Sequence, residues 1–186
     1  MAEPKIAPGK RRRNRFGAFI GDSKGATAVE FALIAAPFLA LIVALMQTFL
    51  LFFAQELLES VVQQSSRLIL TGQVQSHQMT QSAFQRAVCN QVVILFNCNG
   101  LMVDVQVANT WSSANTSAPT LTFNAQGQVA NAWQFNPGST GDIVVVRVMY
   151  QWPVFLGPLG FNLSNLSNGN RLIMASAAFQ NEPANP

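Results

Sequence analysis

The chain has a single histidine, two cysteines and eight acidic residues, so any chemistry must be assembled from very few groups. A hydrolase or transferase needs a nucleophile, a base and an orienting group within reach of one another. His77 stands alone in the polar stretch Gln75-Ser76-His77-Gln78, which reads as a solvated turn. No Cys/His spacing suits zinc, and no glycine-rich phosphate loop follows a strand. Glu56, Glu59, Asp104, Asp142 and Glu182 are scattered, with no predicted neighbour to push a pair of pKa values apart. Glu56 and Glu59 are expected on a solvated helix face, and Asp104 and Asp142 on the outer face or at the end of a strand. The expectation is a protein with no catalytic residue, no metal and no cofactor.

One carboxylate occupies an expensive place. In GATAVEFALIAAPFLALIVALMQTFLLFF, Gly25 to Phe53, every residue is apolar or uncharged except Glu30. A charge at the centre of a membrane helix costs about 2.5–3.5 kcal/mol and less near its end, so such a group is expected to be paired, reaching for headgroups or functional. The uncharged run from Phe31 to Phe53 would extend roughly 34 Å as a helix, against a bilayer core of about 30 Å. It is longer than the apolar region of a secretory signal peptide, and AQELLES rather than a small-residue cleavage site follows it. Of the 11 Lys and Arg residues, Lys5, Lys10, Arg11, Arg12, Arg13, Arg15 and Lys24 precede the run and only Arg67, Arg86, Arg147 and Arg171 follow. This asymmetry places the N-terminus in the cytoplasm and everything after Phe53 outside. The basic cluster RRRNR is then a membrane-flanking retention signal, and no nucleic-acid partner is implied.

The elements around these residues follow from period and composition. Residues 1–25 form a basic leader with Pro4, Pro8 and Gly9 and nothing periodic to bury. Residues 26–54 form the transmembrane helix. Residues 55–186 form an exported head that includes the outer half of the same helix. Beyond Phe53, Leu57, Leu58, Val61, Val62, Ser65, Leu68 and Ile69 make a helical stripe, so one helix should run from near Ala26 to about Thr71, with Gly72 as its stop. A second helix is expected within MTQSAFQRAVCNQVVILF, ending before Asn97 to Gly100. The period then changes to two: LMVDVQVANTW and DIVVVRVMYQW read as strands with one buried face, a short strand is expected around Thr120 to Phe123, and a closing strand from Arg171 to Phe179. The fold class is α+β: a long transmembrane and stalk helix, with a small antiparallel sheet and a second helix packed on it. Cys89 and Cys98 lie in the exported part, where a disulfide is permitted and two buried thiols are the alternative. Asn162 to Asn170, NLSNLSNGN, reads as a polar surface loop.

Residues Gly25-Ala26-Thr27-Ala28-Val29-Glu30-Phe31 resemble the type IV prepilin cleavage motif, a glycine followed by the cut and a glutamate at the fifth mature position. Over a longer stretch, Ala28, Val29, Glu30, Phe31, Ala32, Leu33 and Pro37 resemble the start of TadE-like proteins, minor pseudopilins of tight-adherence (Flp) pili. The likeness extends loosely through FQRAVCNQVVILFNC, Tyr150-Gln151-Trp152-Pro153 and MASAAFQNEP, with Gln180 where the family often has arginine. The resemblance implies a single-pass protein of the bacterial inner membrane, with its C-terminal domain periplasmic, that is needed for pilus assembly. It implies a cut by a prepilin peptidase between Gly25 and Ala26, which would remove the leader. Its implied partners are the membrane, that peptidase, other pilins and pseudopilins and the inner-membrane assembly platform. Glu30 and Phe31 are then the processing and assembly residues, and Pro37 a helix kink. The rival reading is a signal-anchored envelope protein whose exported domain binds a ligand or partner unrelated to pili.

Overall fold

The fold was described from a computed structural model, over residues 23–92, 94–155 and 160–183, with Ser23, Lys24 and Ala26 described by backbone alone. The expected leader falls outside these residues up to position 22. Helix α1 runs Ser23–Leu70 without a break, a little longer at its start than the hydropathy pattern predicts. Contacts divide the chain into residues 1–43 and a compact unit, Ala44–Pro186. The described part of the first is helix alone.

Within the compact unit, α1 buries Leu51, Ala54, Leu58, Val61, Val62, Ser65 and Ile69. The three- and four-residue steps between them put one stripe on the core and leave Glu56, Glu59, Gln63 and Arg67 exposed. The helix stops where Gly72 adopts φ 74°, a left-handed conformation that glycine enters without a Cβ clash. The Gly72 N–H donates to Ile69 O and the Thr71 N–H to Arg67 O, which satisfies carbonyls of the last turn. A single turn, α2 (Gln73–Ser76), leads to α3 (Gln81–Val92), which buries Phe84, Val88, Cys89 and Val92. Cys89 and Cys98 are joined by a disulfide with Cα atoms 5.5 Å apart, fastening the end of α3 to the 3₁₀ turn Cys98–Gly100 that opens the sheet.

Strands β1 (Leu101–Ala108), β2 (Ile143–Trp152) and β3 (Arg171–Gln180) form an antiparallel sheet in the order β1-β2-β3. The architecture is therefore α+β with a stalk helix. Val103, Val148 and Ala175 lie in register, as do Val105, Val146 and Ala177. This face joins Leu58, Ile69, Phe84 and Val88 in one core. The expectation of a single buried face fails: on the opposite face Met102, Asp104, Val145, Arg147 and Met149 are buried as well. Part of the long β1–β2 connection lies on this second face, anchored at Ser117 and Gln134 by the two charged residues. The strand expected around Thr120 to Phe123 reduces to one bridge, Phe123 with Val129.

Amide side chains organise the irregular segments. Asn124 Oδ1 accepts from the N–H groups of Gln126 and Gln128, Asn131 Oδ1 from Thr122, and Asn165 Oδ1 from Leu172. The wealth of Asn, Gln, Ser and Thr after α1 thus supplies partners for backbone groups that no regular ladder reaches.

Candidate membrane-anchoring and assembly segment

The first half of α1 is exposed on nearly every side. Phe31, Leu33 and Ile34 are more than 70% accessible, and Val29, Phe38, Leu41 and Val43 are exposed too. A helix that exposes apolar side chains all round is the kind that lipid or other apolar protein covers. Among the described residues this is one helix long and apolar enough to cross a membrane. Glu30 is exposed near its start, and among the described residues the ion pair present is Arg147 with Asp104, away from it. Gly25 lies in the first turns of the helix, and a Cβ placed on it would meet nothing within 4 Å. Pro37 lies inside the helix, which is continuous across it; its neighbour one turn back, Leu33, loses the usual donor to its carbonyl.

Catalytic geometry is sparse. His77 is exposed, with Nδ1 2.9 Å from Gln73 O, in the turn where the sequence puts it. Among the described residues no three His, Cys, Asp or Glu side chains come close enough to hold a metal. Glu56 and Glu59 lie on the solvated face of α1, with Glu59 accepting from Gln55 Nε2 at 2.7 Å. Asp142 caps its own turn, accepting from the Ser139 N–H at 2.7 Å.

Asp104 departs most from expectation. The expectation is the outer face or the end of a strand; it lies on the face opposite Val103 and Val105, yet its side chain is 1% exposed. It stands opposite Arg147 in the β1–β2 register and accepts from Arg147 Nε at 3.0 Å and from Nη2. Its other oxygen accepts from the Gln134 N–H at 2.9 Å, and Gln106 Nε2 donates to both. Arg147 Nη1 reaches Ser117 O at 3.4 Å. The pair is a structural clamp on the β1–β2 connection. Its signal was present in the sequence as opposite charges on two antiparallel strands, but their register depends on a long connection that pattern alone does not fix.

A second feature missed by sequence reasoning lies at one end of the sheet. Gln47, Leu50 and Leu51 of α1, with Trp152, Pro153, Val154, Phe155 and Leu163, line an apolar cleft of about 90 Å³. Trp152 is held by edge-to-face contacts with Phe96 and Tyr150, ring centroids 5.9 and 6.5 Å apart.

With this geometry established, comparison with known families is decisive for one segment: residues 25–67 match the model of the TadE family, described as TadE-like protein. Over this segment the chain is similar to TadE-like proteins. The match begins at Gly25 and ends within α1, so it takes in Glu30, Pro37 and part of the stripe that packs on the sheet, and none of the strands. Searches of curated proteins and of solved structures gave no match.

Proposed function

We propose that this TadE-like protein is a minor pseudopilin needed for assembly of tight-adherence pili, anchored in the inner membrane by α1 and cut by a prepilin peptidase after Gly25. It performs no catalysis itself. The reading rests on one observation: the family match starts at Gly25, five residues before the only charge that interrupts the apolar part of α1. With the basic leader cytoplasmic, the Gly25-Ala26 bond lies at the cytoplasmic boundary, where a membrane protease acts. Gly25 stands in the first turns of the helix, and glycine weakens a helix by about 1 kcal/mol relative to alanine, which lowers the cost of opening this turn for the protease.

The cut leaves an ammonium group on Ala26, one helical turn from Glu30. When subunits pack side by side, the Glu30 carboxylate of one meets the Ala26 ammonium of its neighbour, and each offsets the other's desolvation while fixing the register. Ala28, Ala32, Ala35 and Ala36 let helices approach closely. Phe31 and Pro37 shape the same contact surface. The partners are the peptidase, other pilins and pseudopilins and the assembly platform.

Intact mass and N-terminal sequencing, on protein from cells with and without the peptidase, test the proposal. A chain beginning at Ala26 only in cells with the enzyme is the expected result, and an uncut terminus in both rejects it. Glu30→Ala is expected to abolish piliation; normal processing together with normal pili in that variant rejects the role of Glu30.

A further inference from the structure

We propose that the Trp152–Phe155 segment, with the cleft it forms against α1, is a second membrane contact, in which the outer leaflet of the phospholipid bilayer covers this end of the head. The inference rests on the reading of α1 as a membrane anchor and adds a surface to it. The residues of α1 that line the cleft, Gln47, Leu50 and Leu51, lie between about 3 and 9 Å along the helix inward of Phe53. Phe53 ends the uncharged run, and the next charge is Glu56. Phe49 and Phe52, which flank the same turns, are 62% and 64% accessible, so the cleft lies at the depth of side chains that lipid must cover. That interval matches the depth of about 5–10 Å at which interfacial elements bury apolar faces.

Composition at this end agrees. Phe155 is 73% exposed although it is a large apolar side chain, and Trp152 and Pro153 precede it. The turn after α3 reaches the same place: Phe96 touches Trp152, and Ile94 beside it is 92% exposed. From Trp152 through Arg171 the single charged residue is Arg171. Arg171 pairs with Trp152 across the sheet and donates from Nη1 to Leu163 O at 3.0 Å. A tryptophan and an arginine bordering exposed apolar residues is the composition of a membrane–water boundary, the ring lying at headgroup depth and the guanidinium near phosphate.

The test uses the full chain reconstituted in vesicles of phosphatidylethanolamine and phosphatidylglycerol, with and without acyl chains brominated near the headgroup. Trp111→Phe with Trp133→Phe leaves Trp152 as the sole tryptophan, excited at a wavelength that Tyr150 does not absorb, and a counterpart retains only Trp111. Bromolipid is expected to lower Trp152 emission about twofold and to leave Trp111 unchanged, since bromine quenches only on close approach and here sits near the depth of about 5–10 Å that interfacial elements reach. A nitroxide on Phe155→Cys provides a second readout, expected to be more accessible to oxygen than to a water-soluble nickel chelate. Equal emission in both lipids, or a nitroxide open to nickel, in protein that resists carbonate extraction overturns the proposal and leaves the anchor intact. Protein that carbonate extracts overturns the anchor reading, and this proposal with it.

Discussion

Asp104 and Arg147 are buried opposite charges that share hydrogen bonds with the connection above them. Removing one partner of such a pair costs about 3–5 kcal/mol, because the survivor stays buried without compensation. Asp104→Ala is therefore expected to lower the melting temperature of the full chain, followed by circular dichroism in detergent, by roughly 10 °C or more. The double variant Asp104→Leu/Arg147→Met removes both charges and should regain a large part of that loss, since apolar replacement of a buried pair is often close to neutral. A double variant as unstable as Asp104→Ala would mean that the bond to the Gln134 N–H, rather than the charge pair, holds the connection down.

Among the elements, the end of α1 and the start of the sheet each depend on one local device. Gly72 takes φ 74°, so Gly72→Ala is expected to cost about 1 kcal/mol in unfolding free energy, read from denaturant titration at unchanged slope. The disulfide closes a short loop between α3 and β1, and Cys89→Ser/Cys98→Ser is expected to cost about 2.5–3 kcal/mol on the chain-entropy model. These elements were legible in the sequence because each carries its own signal: the stripe from Leu58 to Ile69, the stop at Gly72, the alternation of Val103 and Val105 with their neighbours. What pattern could not convey was anything set by contacts distant in sequence. Alternation at Asp104 and Arg147 marks a face opposite the core, and only the return of the connection over that face makes it buried. Phe155 likewise gives no local sign of its depth, which follows from Trp152 docking beside Leu50 and Leu51 of a helix about a hundred residues earlier in the chain.

At the scale of the whole molecule, one helix contributes to two different environments. Every buried apolar residue in the described core lies at or after Leu51. A chain starting at Ala44 retains all of them and is expected to melt cooperatively in detergent. A chain starting at Gln64 lacks Leu51, Ala54, Leu58, Val61 and Val62, a loss of roughly 6–12 kcal/mol at about 1.5–3 kcal/mol per large side chain, comparable with the whole stability of a domain. It is expected to show no cooperative transition in near-ultraviolet circular dichroism. A cooperative melt in that shorter chain would show that the sheet and α3 form a domain independent of α1.

The outward edge of β1 is also closed. Gln81 and Gln85, one turn apart on α3, donate to the carbonyls of Val103 and Leu101 at 3.0 and 2.6 Å, and the Asn136 N–H donates to Val105 O. On the far side of the sheet, Gln55 of α1 donates to Met174 O at 2.8 Å. A short sheet otherwise offers a template on which passing extended chains can add themselves as new strands. With glutamines already seated on those carbonyls, recruitment through the strand edges is discouraged.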